Sequence, residues 1–392
     1  MKKILLLFLS VIFISSCVSS AGSVDYFGQA YPDTIPVVFA PDIISQKGRL
    51  EHGVSFAPDG QELAFGILRK GDLRGEIFYS QKANEKWSNP LVFEPLKNKS
   101  VYLPYFSPNG RFLLYAQSKT DTDHADTDIW MIEKTNDAWS LPKLLHGPIL
   151  SEGREANASM SYDGTIYFSS NRNCDGRENC HTADLFYSEL KNNRYQAVNI
   201  IPELASSNDE ESVFISPKEE YLIFCRYTDE QATVDLYISY RDTHNNWLEP
   251  QRVNSPINSK DWERRPFVTL DNNFLFFTRL QIGENQVIES DIFWVNTSKL
   301  FKPFIFHPIS NNTAHVGTAF EISLPQDYFR DIDDEKLTYT INQNQPDWLN
   351  FDAEQMKLSG IPTVEGEFEL ILTATDNSSN RTDSKIRITV KE

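Results

Sequence analysis

The feature that most narrows what this chain can fold into is a four-residue turn that recurs five times: Ala57-Pro58-Asp59-Gly60, Ser107-Pro108-Asn109-Gly110, Ser161-Tyr162-Asp163-Gly164, Ser216-Pro217-Lys218-Glu219 and Thr269-Leu270-Asp271-Asn272. Successive copies start 50, 54, 55 and 53 residues apart. In the first two copies a small residue leads, proline presets φ at the second position and glycine closes, which are the preferences of a type I turn between strands. Later copies drift and are recognised by their flanks. Short apolar runs bracket each tetrad, as Val54-Ser55-Phe56 and Leu63-Ala64-Phe65 bracket the first, so each reads as the tip of a β-hairpin.

A third strand follows each hairpin, opened by an acid and two apolar residues: Glu76-Ile77-Phe78, Asp128-Ile129-Trp130, Asp184-Leu185-Phe186, Asp235-Leu236-Tyr237 and Asp291-Ile292-Phe293. A fourth follows an aromatic residue, often with proline, as in Trp87-Ser88-Asn89-Pro90, Trp139-Ser140-Leu141-Pro142 and Trp247-Leu248-Glu249-Pro250, with Tyr195 in the third copy. Four strands per period of about 50 residues is the pattern of a β-propeller blade. The fifth copy lacks its own fourth strand, but Pro36-Val37-Val38-Phe39-Ala40-Pro41 matches Pro90-Leu91-Val92-Phe93-Glu94-Pro95. The expectation is an all-β fold with a five-bladed propeller over residues 35–296, closed by an N-terminal strand so that no sheet edge is left free.

The tetrads, the Asp-Ile-Trp strand and the Trp-x-x-Pro strand resemble the WD40-like (PD40) repeats of TolB-type propellers in bacterial envelope proteins. This resemblance implies the fold and an envelope location, and says little about activity.

The N-terminus agrees with export. Met1-Lys2-Lys3 and the apolar run Ile4 to Ile14 form a signal peptide, residues 1–16, too short for a stable membrane span. Ile14-Ser15-Ser16-Cys17 resembles a bacterial lipobox, which implies lipidation at Cys17 and membrane attachment through acyl chains, with residues 17–34 as a tether. Val18 in place of aspartate implies the outer membrane, periplasmic or exterior side. The formal charge of −18 becomes −20 once Lys2 and Lys3 are removed with the signal. That acidity argues against nucleic acid as a partner. In an oxidising compartment Cys174 and Cys180, with five residues between them in a loop of blade three, read as a disulfide. Their spacing fits no zinc template. Cys225, within Leu222-Ile223-Phe224-Cys225, reads as core.

The repeat permits register-aligned comparison within one chain. Six residues before each tetrad stand Glu51, Val101, Glu155, Glu210 and Glu263, and just past each second strand stands a base: Arg69, Lys119, Arg172, Arg226 and Arg279. Repetition favours architecture, with each glutamate paired to an arginine of a neighbouring blade or capping backbone N–H groups. The functional counterpart is a channel mouth in which Glu51, Glu155, Glu210, Glu263, Arg69, Arg172, Arg226 and Arg279 bind a peptide or sugar. The aspartates that open the third strands read as acceptors for turn amides within their own blades. The loop Asp121-Thr122-Asp123-His124-Ala125-Asp126-Thr127-Asp128 lacks the glycine and closing glutamate of an EF-hand and reads as a solvated acidic loop.

Catalytic signatures are missing. No G-x-S-x-G elbow or H-E-x-x-H is present, the seven histidines are scattered, and only His52 stands near the presumed mouth. The alternative is a propeller hydrolase acting on glycans, with two of the ring glutamates as its paired carboxylates.

After Asn296 the pattern changes. Residues 297–312, with Pro303 and Pro308, read as a linker. Residues 313–392 alternate as short strands, for example Leu337-Thr338-Tyr339-Thr340-Ile341 and Ile386-Arg387-Ile388-Thr389-Val390, and form a β-sandwich. Phe329-Arg330-Asp331-Ile332-Asp333-Asp334, Pro346-Asp347-Trp348-Leu349, Leu358-Ser359-Gly360-Ile361-Pro362 and Ala374-Thr375-Asp376 resemble cadherin-like, immunoglobulin-type modules of bacterial surface proteins and dystroglycan. The resemblance implies calcium as a candidate cofactor, held by Asp331, Asp333 and Asp376. Here the usual Asp-Pro-Asp-Gly-Asp form has become Asp331-Ile332-Asp333-Asp334-Glu335, and an Asx turn is the competing reading. Together these features point to a non-catalytic envelope scaffold whose partner is a protein or a glycan.

Overall fold

The computed structural model describes residues 26–120, 126–136, 138–172, 182–228, 233–283, 287–309, 312–342 and 346–392. Cys17, Cys174, Cys180 and residues 121–125 of the acidic loop lie outside the described residues. No helix among the described residues is long and apolar enough to cross a membrane.

The hairpin tips form as their residues dictate. In every tetrad the N–H of the last residue donates to the carbonyl of the first, at 2.8–3.1 Å. That last residue is left-handed in all five: Gly60, Gly110 and Gly164, then Glu219 at φ 61° and Asn272 at φ 59°. A type I turn followed by a left-handed residue matches the twist of the flanking strands. The two residues bearing a Cβ use their side chains elsewhere, Glu219 on Arg241 and Asn272 on the Tyr221 hydroxyl at 2.7 Å.

Each tetrad joins an inner strand to a second strand. The inner strands are Leu50–Phe56, Val101–Phe106, Glu155–Met160, Glu210–Ile215 and Trp262–Val268, each paired antiparallel with the strand that follows it; the sheets of blades 3 and 4 have four strands and that of blade 2 five, while those of blades 1 and 5 join into one of nine through the parallel pair Leu50 and Ser290. The inner strands touch one another in that order, and Trp262–Val268 returns to Leu50–Phe56. Blade 5 takes its outer strand from the N-terminus: Val37 pairs with Trp294 and Val38 with Phe293. The fold begins earlier than the expected boundary at residue 35. Tyr26 is buried and edge-packed on Phe39, Phe56 and Phe274, so part of the presumed tether belongs to the core.

The second domain is a sandwich. Asn312–His315, Arg381–Lys391, Gly366–Thr375 and Thr338–Ile341 form one sheet, and Phe320–Ser323, Lys357–Gly360 and Leu349–Asp352 the other. Leu358, Leu370, Leu372, Ile386 and Ile388 fill the space between them. The segment expected to be a linker is a packed seam. Phe304–Ile305 pairs with Phe329–Arg330, Phe304 stacks on Tyr240 at 4.4 Å and 4°, and Asn380 Nδ2 donates to the carbonyls of Ser298 and Phe301. Aromatic burial outweighed the Pro-rich composition that suggested a free connection.

Candidate functional site: the axial channel

The repeated glutamates close the blades. Glu51, Glu155, Glu210 and Glu263 are fully buried. In blades 3, 4 and 5 a serine four residues earlier donates to the carboxylate through its hydroxyl and its N–H, as Ser206 does to Glu210 at 2.5 and 3.2 Å and Ser259 to Glu263 at 2.6 and 3.0 Å. The base on the adjacent strand completes the clasp: Arg172 to Glu155 at 3.2 Å, Arg226 to Glu210 at 2.7 Å and Arg279 to Glu263 at 2.7 Å. The same three arginines donate to the carbonyls of Ile149, Leu204 and Ile257. The partner thus comes from the same blade and not the neighbouring one, because Glu210 faces Arg226 and Glu263 faces Arg279 across the hairpin. Burial raises the carboxyls of Glu210 and Glu263 above the usual range, while serine and arginine pull them back.

Blades 1 and 2 depart from this. Arg69 does not reach the mouth; it is exposed and pairs with Asp72. Arg49 takes its place, bonding Glu51 at 2.6 Å and the Ile44 carbonyl. In blade 2 Val101 is core, so Lys119 turns to Asp126, Asp128 and the carbonyl of Gly153 in the next blade. One third-strand aspartate also differs from expectation. Asp235 is fully buried and forms a two-pronged pair with Arg252 at 2.9 and 2.8 Å, where capping of turn amides was expected.

Just past these clasps every inner strand carries a β-bulge, between His52 and Val54, Tyr102 and Tyr105, Ala156 and Ser159, Glu211 and Phe214, and Arg264 and Phe267. At each bulge one residue is left-handed: Gly53, Leu103, Asn157, Ser212 and Arg265, with φ between 56° and 74°. Four of the five bear a Cβ, so the ring is held against a preference of about 1–2 kcal/mol per residue. Bulges re-aim side chains, and all five residues line one neck of about 40 Å³ on the axis. By the volume a water needs, that is room for about three waters.

One end of the neck is cationic. Glu211 accepts from Arg154 and Arg264, and Arg265 lies 3.9 Å away. Arg265 also donates to Ser212 Oγ and, at 3.3 Å, to His52 Nε2. His52 is buried, and burial together with Arg265 and Arg264 lowers its pKa well below the usual value, so it is neutral. Burial and then the Arg264 charge also lower Arg265. The Arg264 guanidinium lies over Tyr227, whose ring meets Trp262 edge-on at 5.6 Å. The other end is an apolar funnel of about 290 Å³, lined by Phe56, Tyr105, Phe214, Phe267 and Tyr26 on the tetrad face.

Sequence reasoning weighted the positions that repeat, which proved to be architecture. The residues with chemistry to spare lie within two positions of the repeated glutamates and do not repeat: Arg154, His52, Glu211, Arg264 and Arg265. Their variability against a constant neighbour was the available signal.

The calcium candidates do not assemble into a cage. Asp376 commits both oxygens to Asn380, and Asp331 accepts the Asp333 N–H in an Asx turn. Among the described residues no group of three or more His, Cys, Asp or Glu is arranged to hold a metal ion.

Residues 302–391 match the He_PIG Ig-domain family. No curated protein matches the chain in sequence. Similar solved structures include an alpha-L-arabinofuranosidase from Podospora anserina, 9% identical over 67% of this chain and 97% of that one with a TM-score of 0.40. Another is prolyl oligopeptidase B from Galerina marginata, 11% identical over 83% and 38% with a TM-score of 0.37. A Bacteroides fragilis protein described as an alpha-galactosidase is 19% identical over 23% of this chain, with a TM-score of 0.19, and the chain spans 18% of its length. The chain is an all-β protein whose C-terminal domain is Ig-like and whose larger part is a β-propeller.

Proposed function

We propose that this chain is a non-catalytic binding module of the bacterial envelope: a TolB-type propeller lipoprotein, attached through Cys17 to the outer membrane, that holds an envelope protein or glycan at its axial channel. The observation that carries this reading is the bonding of the four ring glutamates. Retaining glycoside hydrolysis needs two carboxyls about 5–5.5 Å apart, and inverting hydrolysis about 6.5–9.5 Å, free to act on one bond. Glu155, Glu210 and Glu263 are each engaged by a serine and an arginine, and Glu51 through Oε1 by Arg49 and the Gln46 N–H, its buried Oε2 being left without a hydrogen-bond partner. Their carboxylates hold strands and leave the channel to other groups.

The test is capture of solubilised envelope components and of a glycan array by the full chain in detergent, alongside a hydrolysis assay on the retained glycans. Saturable retention without turnover is the expected result. Turnover abolished by Glu155→Gln or Glu210→Gln in a folded protein would replace the scaffold with the hydrolase.

A further inference from the structure

We infer that the cationic end of the neck is a subsite for a carboxylate-bearing sugar, a uronic acid unit. This rests on the binding reading above and names the ligand class.

Three guanidinium groups, Arg154, Arg264 and Arg265, share the one carboxylate of Glu211. The nearby Asp209 accepts the Ala183 N–H and adds a second negative charge, which acts on Arg154 and Arg264. Three guanidiniums against two carboxylates leave the cluster one surplus, partly buried positive charge in a chain of net charge −18. Burying charge without a full set of partners is costly, and the surplus is met when an anion arrives. Arginine's planar fork suits a carboxylate in particular.

The unpartnered atoms define the rest of the ligand. Arg264 Nε and His52 Nδ1 are buried and have no hydrogen-bond partner. Because His52 Nε2 accepts from Arg265, the proton sits on Nδ1, so both orphan atoms are donors. Asn157 is 5% exposed, lines the neck, and has a buried Oδ1 without a partner while its Nδ2 is spent on Ser169. That orphan is an acceptor. A carboxylate alone offers acceptors to both kinds of atom, whereas a sugar acid offers a carboxylate and hydroxyl donors together. The Tyr227 and Trp262 rings beside Arg264 add an aromatic wall of the kind a sugar ring packs against. The neck, with room for about three waters, takes the carboxyl end of one such unit and leaves the remainder of the glycan outside.

The test titrates the full chain in detergent with a galacturonate oligosaccharide, with the galactose oligosaccharide of the same length and linkage, and with a glutamate-rich peptide. Calorimetry and tryptophan fluorescence, which includes Trp262, supply the readouts. The galacturonate oligomer binds and the neutral oligomer binds about 10- to 100-fold more weakly, the loss expected for charge-assisted hydrogen bonds. Arg264→Gln and Arg265→Gln lower affinity by a similar factor, and Arg111→Gln, in an exposed pair with Glu133, leaves it unchanged. Asn157→Asp keeps shape and tolerates the left-handed backbone, so it repels the carboxylate even where an arginine variant fails to fold. Equal binding of acidic and neutral sugars, no response to Asn157→Asp, or equal binding of the peptide overturns the assignment. Capture of an envelope protein with no uronate binding overturns it too, while the scaffold reading survives.

Discussion

Removing Arg279 tests whether the repeated glutamate is a buried charge held in place by its partners. Glu263 is fully buried, and Arg279 bonds it at 2.7 Å while donating to the Ile257 carbonyl at 2.8 Å and lying 4.6 Å over Phe293. Arg279→Met fills much of the volume but leaves the Glu263 carboxylate with Ser259 alone. Breaking a buried pair from one side costs about 3–5 kcal/mol, and the orphaned carbonyl adds about 1 kcal/mol. Glu263→Gln combined with Arg279→Met removes both charges, and the pair then costs only about 1–2 kcal/mol. The assay is urea unfolding followed by tryptophan fluorescence, since Trp294 in the same blade is fully buried. If the double variant is as unstable as the single one, the cost was lost packing and not an unpaired charge, and the clasp argument fails.

Other consequences are as direct. A Cβ at Gly66 would stand 2.4 Å from the His52 carbonyl oxygen, because the bulge brings that backbone close, so Gly66→Ala should destabilise by about 1–3 kcal/mol in the same unfolding assay. Burial and the adjacent Asp333 push Asp331 up to about 8 from an ordinary 3.8. The folded state therefore holds more protons between those values, and this group's stability contribution is full below about 3.8 and lost as pH rises through 8. Asp331→Asn should flatten the dependence of Tm on pH across that window and raise Tm at its alkaline end; an unchanged profile would refute the assignment. Phe304→Ala removes the stack on Tyr240 and should cost about 3–5 kcal/mol at the seam, read as faster protease cleavage between the two domains with the sandwich itself left intact.

The sequence by itself determined the all-β class, the blade period, the strand borrowed from the N-terminus and the Ig-like C-terminus. These are local or periodic: turn residues, alternation and spacing act within a few residues of one another. The Val37–Trp294 pairing was legible because one copy lacked a strand and another segment matched it. The glutamate–arginine clasps were half legible. Repetition exposed both partners, but which blade joined them depended on hairpin register, and Arg69 was separated from Glu51 by the local competition of Asp72.

Tertiary structure alone decided the site. Arg154, Glu211, Arg264, Arg265 and His52 come from four different blades, and ring closure sets them around one axis. Their pairing has no periodic trace, since a functional residue is used once where an architectural one is used in each blade. The seam was equally hidden: a stretch with two prolines read as a linker until Phe301 and Phe304 found buried places against Tyr221 and Tyr240. Short-range chemistry wrote the blades, and the closure of the ring chose which side chains would meet.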